Sequence, residues 1–152
     1  MNTTLKIEIP AGYEVDNFDP STGEIKFREK PKDIKERIKT FADVLNHFGI
    51  DETYFNEQNE DLESDEVAYR KVKLIVKALN EGWTPDWSDS DQYKYFPWFN
   101  MGSSSGAGFS YYGYGDWGAR SSAGSRLCFK NRDLAKYAGQ QFESIYKEFM
   151  TI

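Results

Sequence analysis

A single histidine, His47, and a single cysteine, Cys128, bound the nucleophilic chemistry open to this chain. Together they form the one thiolate and base pair that the composition permits, and a thiol-dependent enzyme would need Cys128 accessible, lowered in pKa and close to His47. The same two counts exclude a Cys/His zinc cluster and an internal disulfide. His47 falls between the apolar residues Leu45 and Phe48 on helical spacing, where a boundary histidine is the plain alternative. Asp and Glu are plentiful, but no pair stands out as the acid and base of a hydrolase.

Three further patterns carry possible chemistry. Gly113-Tyr-Gly115-Asp-Trp-Gly118 reads G-x-G-x-x-G, which holds a dinucleotide only between a buried strand and an apolar helix. The polar run Arg120-Ser121-Ser122-Ala123-Gly124 follows instead, so a glycine-rich turn is expected. Asp86, Asp89 and Asp91 could gather a hard cation, but Asp91 or Lys94 stands where an EF-hand loop needs Gly, and no Glu closes it. Turns and caps after Pro85 are the simpler expectation. No cofactor or metal is implied.

The third pattern is the densest. Ten of the 25 aromatic residues lie between Tyr93 and Trp117, and seven of the twelve glycines lie between Gly102 and Gly124. Tyr111, Tyr112, Tyr114, Trp117, Arg120 and Arg126 are the candidate partner surface, because Tyr, Trp and Arg dominate interface hot spots and a Gly/Ser-rich backbone can present them. The same rings beside Arg120, Arg126, Lys130 and Arg132 could stack single-stranded bases or a carbohydrate. The competing reading is that they fill a core.

The elements that must position these residues follow from length and periodicity. A chain of 152 residues is one domain's worth, and buries roughly 68–70% of its unfolded surface without metals or staples. The net charge of −6 divides as −1, −7 and +2 over residues 1–50, 51–100 and 101–152, too acidic for a general phosphate-binding surface. There is no basic n-region and no run of about 18 apolar residues, so a soluble protein without a cleaved signal or a membrane partner is expected.

Leu5–Ile9 and Glu24–Arg28 alternate apolar and polar, which predicts a hairpin or meander over residues 4–29 turning at Pro20 to Gly23. Ile34, Ile38, Phe41, Leu45 and Phe48 predict one helix, capped by Asp33 and ended by Gly49. Residues 51–64 form an acidic loop in this reading, since eight acids and no base fall between Asp51 and Glu66. A second helix covers about 65–80, with Ser64 as N-cap and Gly82 beyond its end. Strands are expected near 93–99, 109–114 and 125–130, with Leu127 and Phe129 facing opposite to Arg126, Cys128 and Lys130. A last helix spans about 132–150 on Leu134, Ala138, Phe142, Ile145 and Phe149, with Gly139 retained for a close approach.

The strings Ile9-Pro10-Ala11-Gly12-Tyr13-Glu14-Val15-Asp16, Ala78-Leu79-Asn80-Glu81-Gly82-Trp83-Thr84-Pro85-Asp86-Trp87, Tyr95-Phe96-Pro97-Trp98-Phe99, Gly124-Ser125-Arg126-Leu127-Cys128-Phe129-Lys130 and Ala135-Lys136-Tyr137-Ala138-Gly139-Gln140-Gln141-Phe142 span nearly the whole chain. Together they resemble a family of small proteins encoded by phages, prophages and mobile elements of gut anaerobic bacteria. The resemblance implies a setting inside the bacterial cytoplasm or on a virion, and brings no activity, cofactor or catalytic residue with it. The expectation is a single α+β domain over residues 1–152: an N-terminal β-hairpin, two helices, and an antiparallel aromatic-rich sheet packed by a C-terminal helix. Its expected role is that of a non-enzymatic accessory protein binding a host or phage protein, with single-stranded nucleic acid as the alternative partner and the thiol-dependent enzyme as the second alternative.

Overall fold

The computed structural model describes residues 6–30 and 32–152, and its helices and two small antiparallel sheets make an α+β protein. Contacts gather into a first unit ending at Asp33 and a second over Ile34–Ile152.

The first unit is a hairpin of β1 (Tyr13–Asp19) and β2 (Glu24–Glu29). Its turn is built as the sequence predicts: the Asp19 carboxylate accepts from the Ser21 amide at 2.8 Å and the Ser21 hydroxyl at 2.6 Å. Gly23 takes the left-handed φ of 73° that its bond to the Asp19 carbonyl requires. The first strand lies later than its alternation suggested. Lys6–Ile9 is irregular, Leu5 lies outside the described residues, and Pro10-Ala11-Gly12 leads into the strand instead of ending it.

In the second unit, the predicted first helix divides into α1 (Ile34–Arg37) and α2 (Phe41–His47). Thr40 explains the division: it accepts from the Asp43 amide while Asp43 accepts from the Thr40 amide, a capping box that restarts the helix. The Tyr137 hydroxyl donates to the Ile38 carbonyl at 2.7 Å and the Gln141 amide to the Lys39 carbonyl at 2.7 Å, supplying partners for carbonyls that a continuous helix would have satisfied internally.

The expected acidic loop is partly a helix, α3 (Glu52–Glu57). Asp51 caps it by accepting from the Tyr54 amide at 3.0 Å, and its one buried apolar residue, Phe55, meets Phe41 edge-on. In α4 (Ser64–Asn80) the N-cap is Glu63 in place of Ser64, because the Glu66 carboxylate reaches back to the Glu63 amide. Beyond its end Glu81 adopts a left-handed φ of 49° while its carboxylate pairs with Arg37 and Lys130.

Val72, Ile75, Val76 and Leu79 of α4 make the centre of the core with Ile38, Val44, Leu134 and Phe142. The last predicted helix bends at Phe142 into α5 (Arg132–Gln141) and α6 (Glu143–Met150). Phe142 still bonds back to Ala138 at 3.0 Å, and Tyr146 to Phe142 at 3.1 Å, so the hydrogen-bonded path continues through the bend. Among the described residues no helix is long and apolar enough to cross a membrane.

Candidate functional site

The aromatic segment folds as β3 (Lys94–Asn100) and β4 (Ser110–Trp117), paired antiparallel. The third expected strand, 125–130, contributes only one bridge, in which Tyr95 and Phe129 exchange backbone bonds of 3.0 and 2.7 Å. Asn80 holds that segment in place of a ladder. Its side chain donates to the Cys128 carbonyl at 2.9 Å and accepts from the Lys130 amide at 3.0 Å, as a neighbouring strand would. Cys128 and Phe129 are both fully buried, so the alternation expected there does not hold.

One face of the β3–β4 sheet meets α5. A Cβ on Gly139 would lie 2.6 Å from the Tyr111 ring and 2.8 Å from Pro97, so the glycine is what lets helix and sheet approach. The Tyr111 amide donates to the Glu143 carboxylate at 2.8 Å, which closes the outer edge of β4 at that point. Tyr114 leans on Tyr95 with ring centroids 6.0 Å apart, and the Lys136 ammonium sits 5.3 Å from the centre of its ring.

The opposite face is built on glycine. Trp98 pairs with Gly113 and Phe96 with Gly115, and the Phe96 and Trp98 rings, stacked at 6.5 Å, lie over Gly115 where a side chain would stand. Lys94 and Trp117 continue this face. Lys94 is buried to 1% exposure, donating to the Asp89 carbonyl at 2.9 Å with its ammonium 5.2 Å from the Trp87 ring centre.

Tyr112 stands between the two faces. The pairs Trp98 with Gly113 and Phe99 with Tyr111 leave Tyr112 without a partner, so it is the extra residue of a β-bulge, which re-aims a side chain locally. It is 72% exposed, against 52% for Trp98 and 50% for Trp117. Thus β4 carries Tyr111, Tyr112, Tyr114 and Trp117 together but divides them: Tyr111 and Tyr114 pack toward α5, while Tyr112 and Trp117 are open. Arg120 is exposed just past β4, and Arg126 is exposed in the segment that meets the other edge of β3. Trp98, absent from the candidates read in the sequence, belongs with the open residues. Its pairing opposite glycine is the signal that would have found it.

No family model, curated protein or solved structure matches this chain.

The other chemical patterns resolve into structure. Burial pushes the Cys128 thiol up to about 11, and its Sγ faces the Ser125 carbonyl at 3.7 Å; a buried, protonated thiol lacks the activation a nucleophile needs. His47 is exposed at the end of α2, its ring edge-on to Phe48. Asp86 accepts from the Ser88 amide and hydroxyl, which lower its pKa, and Asp89 accepts from the Asp91 and Gln92 amides. These are Asx-type turns, and among the described residues no group of three or more His, Cys, Asp or Glu could hold a metal. The G-x-G-x-x-G glycines run through β4 and out of it. Gly115 lies beneath the Trp98 ring and Gly118 against the Ser90 carbonyl, so packing accounts for both.

Proposed function

We propose that the chain is a binding module of a phage or mobile element whose contact surface is the open aromatic part of the β3–β4 sheet, and that its partner is a host or phage protein. The observation that carries this reading is that Trp98, Tyr112 and Trp117 are half or more exposed on a sheet whose other face is fixed by α5. Large, rigid rings held on a braced scaffold lose little side-chain entropy on binding, which is how aromatic hot spots contribute. Arg120 extends the surface beyond β4.

Protein is favoured over single-stranded nucleic acid by the charge of the strands themselves. Their only basic residue, Lys94, is buried, and β4 contributes Asp116. Phosphate contacts would have to come from outside the strands, from Arg120, Arg126, Arg132 and a Lys130 already paired with Glu81, few for a backbone-tracking groove. The test is affinity capture of tagged protein from bacterial lysate, with and without nuclease, beside a Tyr112→Ser/Trp117→Ser variant that leaves the α5 face untouched. A nuclease-resistant protein partner lost in the variant is the expected result. Nuclease-sensitive recovery alone, or a partner retained by the variant, would contradict it.

A further inference from the structure

We propose that the cavity between the free edge of β3 and α6 binds a small, uncharged, largely aromatic molecule carrying one hydrogen-bond acceptor, which it presents to the Tyr146 hydroxyl. The site goes beyond the macromolecular contact above: it shares Trp98 with that surface, but neither Tyr112 nor Trp117 lines it.

The cavity exists because of how β3 ends its pairing. Tyr95 directs both backbone groups to Phe129, and the strand's period of two aims those of Pro97 and Phe99 to the same edge. Pro97 has no N–H to leave unpaired there, which suits an edge position. Past the Tyr95 bridge no strand among the described residues covers this edge, and residues 122–127 and α6 stand off from it. The space between is about 370 Å³, within the range of small-molecule sites.

Its chemistry is specific. Phe96, Trp98, Phe99, Leu127 and Phe149 supply aromatic and aliphatic walls, and among the described residues no Asp, Glu, Lys or Arg lines it. A charged ligand would lose its hydration without compensation, so the occupant is neutral. Tyr146 also lines the cavity, is 4% exposed, and its hydroxyl has no hydrogen-bond partner among the described residues. Buried hydroxyls are rarely left so, because the unmet bond is costly. Burial pushes the Tyr146 pKa well above the ordinary tyrosine range, so the group stays a donor and what it lacks is an acceptor. The hydroxyl is sealed from solvent, so the proposed contact requires a ligand to part the wall, where the unbranched side chains of Met101 and Met150 in the lining are suited to give way.

The test titrates the full chain, by calorimetry, with acetylnaphthalene and with isopropenylnaphthalene, in which a C=CH2 group replaces the carbonyl at nearly the same shape. The ketone is expected to bind about tenfold more tightly, the worth of one good hydrogen bond. Tyr146→Phe should bring the ketone down to the alkene's affinity and leave the alkene unchanged. Ala123→Trp, which fills the cavity from the loop side, should abolish both, with thermal melts confirming that each variant folds. Failure of both probes to bind wild type, binding that survives Ala123→Trp, or a ketone preference that persists in Tyr146→Phe would each overturn the proposal. Tyr112→Ser/Trp117→Ser should leave probe binding unchanged, so failure of the cavity and failure of the macromolecular surface are separately visible.

Discussion

The two hairpins of this chain use the same device and come to different ends. In β1, Val15 and Phe18 oppose Phe27 and Ile25; in β4, Tyr111 and Tyr114 oppose Phe99 and Pro97. Each sets four residues against three, a bulge that returns residues i and i+3 to one face. In β3–β4 that face is met by α5 at Gly139. In β1–β2, by contrast, no residue among the described positions 6–30 is buried, and Phe18 is 54% exposed. Strand patterning therefore specifies pairing, whereas a docked helix decides which aromatic rings become core and which stay open.

The largest way to break this contrast is Gly139→Val. Its side chain would enter the space of Tyr111 and Pro97, and overpacking against a fixed backbone should cost about 3 kcal/mol, read as a lower urea midpoint. Asn80→Ala comes next, at about 2–3 kcal/mol, because it strands the Cys128 carbonyl and the Lys130 amide. Faster thiol labelling of Cys128 should accompany it, since the 128–130 segment loses its clamp.

The Cys128 thiol gives a pH signature. Its folded pKa of about 11 lies above the ordinary value of 9.0, so the unfolded chain releases this proton first as pH rises. The stability contribution is whole below pH 9 and is lost on the way to about 11. Subtracting the profile of Cys128→Ala, which lacks the group, isolates it from the tyrosines; matching profiles would refute the burial. The smallest effect is expected in the other hairpin, where Phe18→Ala should move stability by less than about 0.5 kcal/mol.

Much of the second unit is legible in its sequence. The stripe Ala68, Val72, Ile75, Val76 and Leu79 is buried as its spacing requires, and mid-helix Gly139 marks the close approach that it makes. What periodicity does not carry is competition between local and tertiary bonds. Thr40 and Asp43 divide a helix whose apolar stripe runs on unbroken, and Asp51 starts a helix in an acidic stretch with one buried aromatic. The bulge at Tyr112 is the costliest omission for the site, since strict alternation along β4 places Tyr112 with Tyr114 and sets Tyr111 apart. Only the pairing register shows Tyr111 and Tyr114 as a packed pair and Tyr112 as the open ring. Likewise the burial of Lys94 appears only once Asp89 and Trp87 are folded around it.

The central claim is that one sheet has a structural face and a binding face, and adjacent residues test it most directly. Urea denaturation of Tyr111→Ala beside Tyr112→Ala should show a loss of about 2 kcal/mol for the ring packed at Gly139 and less than about 0.5 kcal/mol for the open ring. Equal losses, or a larger loss at Tyr112, would mean that the aromatic residues of β4 are all core and that the sheet offers no free face.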